Sequence, residues 1–266
     1  MSNPKPPLLA AFQGPVQFSA PIRSGETVTH DVYQLGEGRK IVLLMQELPG
    51  IDEATVKLAN RLVGRGFRVI LPHLVGPIGK QEPLRNMRKV CISMEFHTWA
   101  HGESSPIVDW LAALCEELRV EHGVSGVAAI GMCLTGDFAI SLMANDAVLA
   151  AYASQPSLPF FSFGRRLPFS PQEVEDIKAG LSAKGPMKCA RFSSDYLACT
   201  GGKFKALDQT FNQDEKRIQM EIIKNGIWPK HSILTGDYDH TPGHPTRVKL
   251  EEVIDYFDQT LSDTEA

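Results

Sequence analysis

Cysteine is scarce and unpaired in this chain. Its five residues, at positions 91, 115, 133, 189 and 199, form no Cys-x-x-Cys motif, so neither a zinc knuckle nor a disulfide framework is indicated. Basic residues are few and scattered: 27 Lys and Arg stand against 31 Asp and Glu, for a net charge of −4. Without a basic patch to neutralise phosphates, nucleic acid is not an expected partner. Long apolar runs are missing too, since no segment approaches the ~18 residues of a membrane span. The apolar stretch at 8–12 is too short, and wrongly flanked by prolines, for a signal peptide. The expectation is a soluble cytoplasmic protein with no membrane partner. The 266 residues are 43% hydrophobic and 22% charged, an average globular composition that excludes disordered, collagen-like and coiled-coil classes. One α/β domain over 1–266, as a monomer or weak homo-oligomer, fits this length.

Buried apolar runs alternate with amphipathic stretches along the chain. Ile41-Val42-Leu43-Leu44-Met45 reads as a strand covered on both faces and ends at Gln46-Glu47. A helix follows over 52–64, with Val56, Ala59, Leu62 and Val63 at helical spacing, and a second buried strand over 67–71. Pro106 opens a helix carrying Ile107, Trp110, Leu111, Leu114 and Leu118. Further strands are expected at 126–131, 148–153, 187–192 and 218–223, with helices at 138–144, 171–181, 204–211 and 245–261. Residues 16–22 and 27–35 alternate as an antiparallel hairpin on the sheet edge. The fold class is therefore α/β, with a mostly parallel central sheet, helices on both faces and an N-terminal edge hairpin.

One motif carries chemistry. Gly131-Met132-Cys133-Leu134-Thr135-Gly136 lies between a buried strand and a helix, the place of the nucleophile elbow in an α/β-hydrolase fold. Such a turn strains its central residue and lifts that side chain above the carboxyl edge of the sheet, so small neighbours are required. Gly131 meets the requirement, whereas the usual second glycine is Thr135, with Gly136 one place later. A cysteine nucleophile needs an imidazole and a group that fixes it, and here the order nucleophile, acid, histidine is present. Asp195 follows the strand at 187–192. His231 and His244 both follow the last strand; His231 is favoured as the base, because His244, just before Pro245, suits the start of the terminal helix. His240 reads as an exposed loop residue.

These residues resemble the dienelactone hydrolase family over roughly 40–261, with Gln46-Glu47 and Gly131-Met132-Cys133-Leu134 as the specific anchors. The resemblance implies that Glu47 touches the thiol, which stays neutral until the glutamate accepts its proton. It also implies an oxyanion hole from the backbone amides of Leu48 and Leu134. A small ester or lactone would be cleaved through a thioester on Cys133, without metal or organic cofactor. Family members bind a substrate carboxylate with arginines, whose guanidinium fork matches it; Arg85, Arg88 and Arg247 are the candidates. His73 stands in a Pro-x-Leu context where the family often carries aspartate.

Overall fold

The computed structural model describes residues 6–80, 105–157 and 167–263. Arg85 and Arg88 lie outside the described residues. So do the aromatics Phe96, Trp99, Phe160, Phe161 and Phe163.

The chain opens with the hairpin β1 (Gln13–Pro21) and β2 (Thr27–Leu35), followed by β3 (Ile41–Leu44), α1 (Glu53–Val63) and β4 (Arg68–Pro72). After these come α2 (Pro106–Glu121), β5 (Val127–Met132), α3 (Leu134–Leu142), β6 (Val148–Ser154) and α4 (Pro171–Lys184). The last elements are β7 (Met187–Phe192), α5 (Gly201–Phe211), β8 (Ile218–Ile223) and α6 (Pro245–Asp263). Eight strands form one sheet in the order β1-β2-β4-β3-β5-β6-β7-β8. The hairpin pairs antiparallel within itself and against β4, and every other pairing is parallel.

The uninterrupted apolar runs divide their residues between the two faces of the sheet, as a period of two requires. Ile41, Leu43, Val127, Ala129 and Ala151 join one core, completed by Trp110 of α2, Phe138 of α3, Ile177 of α4 and Phe204 of α5. Val42, Leu44, Ala128, Ile130 and Tyr152 join the other, closed by Leu58 and Leu62 of α1 and by Val253 and Phe257 of α6. Each large apolar side chain buried this way stabilises the fold by about 1.5–3 kcal/mol before entropy is counted. Asp52 caps α1 by accepting from the Thr55 amide at 2.9 Å, and Ser170 with Glu173 forms a capping box on α4.

The helix expected at 138–144 begins four residues earlier, at Leu134. The elbow needs no linker: Cys133 is itself the N-cap of α3. Because β3, β5, β6, β7 and β8 run parallel, Glu47, Cys133, Ser157, Asp195 and His231 all follow carboxyl strand ends. That is the edge where open α/β sheets place their sites.

Candidate active site

Cys133 has φ 57° and ψ −120°, a conformation costing a non-glycine residue about 1–3 kcal/mol. Its surroundings hold it there. Its amide donates to the Ser154 carbonyl at 3.0 Å, and its own carbonyl accepts from the amides of Gly136 and Ser157, each at 3.0 Å. Gly131 is required because a Cβ there would fall 2.0 Å from the Thr135 carbonyl oxygen. A Cβ on Gly136 would lie 2.8 Å from Pro156 Cα, so this glycine answers to the neighbouring loop. Thr135, the apparent departure from the elbow pattern, is buried and functional in the turn. Its hydroxyl accepts from the Met132 amide at 2.9 Å and lies 3.1 Å from the carbonyls of both Met132 and Gln46, to either of which it can donate.

Asp195 and His231 come together from two loops. Oδ2 of Asp195 lies 2.6 Å from Nδ1 of His231, and Oδ1 accepts from the Ala198 amide at 3.1 Å. The Asp195 loop is shaped by the buried Arg191, which donates to the carbonyls of Cys199 and Asp195 at 2.7 and 2.8 Å. The His231 turn is held by Asp237, which accepts from the amides of His231 and Ser232 at 2.9 and 3.0 Å. Among the described residues Nε2 of His231 is buried and makes no well-formed hydrogen bond; the group facing it is the Cys133 sulfur. Burial alone would lower the imidazole, but its bond to Asp195 and the facing sulfur together raise it from 6.5 to about 11. Burial would raise Asp195, yet the imidazole and the Ala198 and Cys199 amides hold it below its ordinary value. The arrangement sets the imidazole between the Asp195 carboxylate and the Cys133 sulfur, the order in which a base can take a thiol proton.

Glu47 is buried, with three donors on its carboxylate. Oε1 accepts from Thr235 Oγ1 at 2.6 Å and from Gln155 Nε2 at 3.1 Å, and Oε2 accepts from Ser232 Oγ at 2.8 Å. Among the described residues its oxygens are hydrogen-bonded to these donors rather than to the thiol. Among the described residues the Cys133 sulfur is instead hydrogen-bonded to Ser157 Oγ, at 3.0 Å. Gln155, buried at a φ of 37°, bonds the Ala190 carbonyl through its amide and thereby joins β7 to the Glu47 cradle. Gln46 ties the turn after β4 through the backbone of Leu74 and Val75.

The other candidates are distributed as follows. Leu134 is the first residue of α3, so its amide has no intrahelical acceptor. Leu48 follows Glu47 in the turn after β3 and packs partly against the core. Arg247 donates to the His240 carbonyl at 2.6 Å, a contact outside the His231 and Asp195 pair. His244 starts α6 through its contact with Thr246, at 2.8 Å, and His240 is exposed beside Arg61. Among the described residues no group of three or more His, Cys, Asp or Glu side chains is placed to hold a metal ion. Ser157, Gln155 and Thr235 escape a motif search. Their only sequence signal is position just after a buried strand or just after His231.

The sequence profile of the dienelactone hydrolase family matches residues 33–182. Among curated proteins no sequence match is found. A Klebsiella pneumoniae subsp. pneumoniae structure assigned as a dienelactone hydrolase superposes with a TM-score of 0.61 at 17% identity, covering 92% of this chain and 98% of that one. A dienelactone hydrolase-like promiscuous phosphotriesterase from metagenomic libraries gives 0.60 at 16% identity, with the same coverage. The Anabaena variabilis dienelactone hydrolase gives 0.57 at 13% identity, covering 94% of this chain and 99% of that one. These likenesses concern the fold; the profile match spans more than half of the sequence, and the chain belongs to the dienelactone hydrolase family, with its α/β-hydrolase fold.

Proposed function

We propose that this protein hydrolyses small carboxylic esters or lactones, dienelactone-like in their activated leaving group, through a thioester on Cys133. The observation that carries this reading is the alignment of Cys133, His231 and Asp195, with the strained elbow on one side and the 2.6 Å carboxylate contact on the other. His231 takes the thiol proton and returns it to the leaving oxygen, then activates water for deacylation. Asp195 fixes the tautomer and stabilises the imidazolium. The amides of Leu134 and Leu48 receive the oxyanion, each such donor worth roughly 3 kcal/mol in the transition state. Glu47 acts from its three-donor cradle, where it ties the strand before the oxyanion loop to the turn that carries His231. A thiolate attacks readily but leaves a comparatively stable thioester, which favours enol and aryl esters over amides. No step in this sequence draws on a metal or organic cofactor.

A second reading, a general carboxylesterase or thioesterase, is favoured by one observation. Tyr196 and Leu197 directly follow Asp195, Ile227 and Trp228 shortly precede His231, and all four are exposed. The two loops are joined, since Ser194 Oγ donates to the Trp228 carbonyl at 2.7 Å. An apolar rim there suits an ester with an apolar group, whereas Arg247 is the described candidate for a substrate carboxylate. Hydrolysis of a neutral aryl ester and of an anionic dienelactone by wild type, Cys133→Ala and Arg247→Ala tests both. Loss of both activities in Cys133→Ala is expected. A raised KM in Arg247→Ala for the lactone alone supports the anionic substrate, and unchanged constants for both support the general esterase. Activity that survives Cys133→Ala would sink the thioester mechanism.

A further inference from the structure

Ser157 grips Cys133 twice. Its amide donates to the Cys133 carbonyl at 3.0 Å, and its hydroxyl lies 3.0 Å from the sulfur. Ser157 is 2% exposed, which shields this contact from bulk solvent. With a neutral thiol either atom can donate. Once the sulfur is an anion, only the hydroxyl can, because a thiolate has no proton to give.

We propose that Ser157 is a further catalytic residue, whose hydroxyl donates to the Cys133 thiolate once His231 has taken its proton and again as the sulfur departs from the thioester. The inference rests on the thioester reading and deepens it. When the thiolate attacks, the S–C bond forms, the carbonyl π electrons pass to oxygen, and the sulfur loses its negative charge. The Ser157 bond then weakens, since hydrogen bonds to charged acceptors are roughly twice as strong as neutral ones. In deacylation the charge returns. Water adds to the thioester carbonyl as His231 takes its proton, the tetrahedral intermediate collapses, the S–C bond breaks, and its electron pair goes back to sulfur. A donor fixed 3.0 Å from that sulfur stabilises the anion that deacylation regenerates. The titratable groups around the site are His231, which faces the sulfur, Asp195 behind it, and Glu47, whose oxygens are bound by Gln155, Ser232 and Thr235.

The test compares wild type with Ser157→Ala and Ser157→Thr by two readouts. The first is alkylation of Cys133 by iodoacetamide, located by peptide mass mapping, at pH 6 and pH 9. The second is burst and steady-state turnover of an activated aryl ester. Ser157→Ala keeps the amide clamp and removes the hydroxyl. It is expected to slow alkylation at pH 6 on the order of tenfold, with a much smaller deficit at pH 9 where thiolate is abundant. Steady-state turnover is expected to fall by a similar factor while the burst survives, so acyl-enzyme accumulates. Ser157→Thr, with its hydroxyl, is expected to restore both. Unchanged alkylation and an unchanged burst-to-steady-state ratio in Ser157→Ala would overturn the proposal, as would Ser157→Thr being as impaired as Ser157→Ala. If wild type forms no acyl-enzyme on Cys133, the thioester reading fails and the departing-thiolate role fails with it. A wild type that forms acyl-enzyme, with no effect of Ser157→Ala, defeats the Ser157 role alone.

Discussion

Oδ2 of Asp195 lies 2.6 Å from Nδ1 of His231, although 36 residues separate them. The distance fixes which imidazole nitrogen is turned to the carboxylate and therefore which faces the sulfur. Asp195→Asn preserves shape but presents an amide where an anion held the tautomer. Its kcat on an activated aryl ester is expected to drop by about 10²–10⁴, and that of Cys133→Ala by at least about 10³. Steady-state kinetics at matched folding, checked by circular dichroism, decides. An Asp195→Asn variant with near wild-type kcat would show that the contact is structural only.

The imidazole titration supplies an independent check. His231 is raised to about 11 by Asp195 and by the facing sulfur acting against burial. Removing the sulfur in Cys133→Ala takes away one of the two groups that raise the imidazole, so the His231 titration measured by NMR should move down, with Asp195 still opposing burial. For stability the sign follows from linkage. A folded-state value above 6.5 means a contribution fully present below pH 6.5 and lost as pH rises toward 11. The Tm difference between wild type and His231→Gln should therefore shrink between pH 6.5 and pH 10. A difference constant over that range would contradict the assignment.

The elements that make the scaffold were legible because their signals are local. The runs at 187–192 and 218–223 coincide with β7 and β8, and Pro171 and Pro245 open α4 and α6 as their spacing implies. The strand-end positions of Cys133, Asp195 and His231 were legible as well, since they follow from the order of the elements. Ser157 and Gln155 were not. Their contacts arise where the residues after β6 meet the elbow and β7, which no periodicity within 154–157 announces. Glu47 was found, but its partners were not, because Ser232 and Thr235 lie 185 and 188 residues away.

The Glu47 cradle has energetic consequences. Glu47→Ala would strand the buried Gln155 donor and the part-buried Ser232 and Thr235 hydroxyls, a buried unmet group costing about 1–3 kcal/mol and a part-buried one less. A loss of about 3 kcal/mol in urea unfolding is expected, since partial relaxation recovers some of the sum. Glu47→Gln keeps one acceptor oxygen and should lose less. Equal stability of Glu47→Ala and wild type would mean that water replaces the carboxylate.

Behind the elbow, Lys203 Nζ of α5 lies 2.5 Å from Asp137 Oδ2 of α3, with both side chains almost fully buried. Among the described residues Asp137 Oδ1 has no partner, and burial raises this carboxyl despite the lysine. Lys203→Met leaves an unpaired buried acid and should cost about 3–5 kcal/mol at pH 8. The folded-state carboxyl then lies still further above its ordinary 3.8, so stability is lost as pH rises through it. The deficit relative to wild type should shrink at pH 5, where the acid can carry its proton. Combining Lys203→Met with Asp137→Leu should recover most of the loss, and denaturant titrations at both pH values measure all three variants.

Thr135 and the glycines beside it make opposite demands on the same turn. Thr135→Val conserves volume but leaves the Met132 amide without the hydroxyl it bonds at 2.9 Å. One buried unmet amide predicts a loss of about 1–3 kcal/mol, with Cys133 still presented at the elbow. Gly131→Ala is different in kind, because its Cβ would lie 2.0 Å from a backbone oxygen that the first turn of α3 fixes in place. Only displacement of α3 relieves that overlap, and such a shift moves Cys133 away from His231. Thr135→Val should thus be a stability variant that retains kcat when folded, while Gly131→Ala should lose kcat even where soluble protein is recovered. Urea unfolding together with aryl ester turnover on both variants separates the two effects, and an active Gly131→Ala enzyme would contradict the close packing of the elbow.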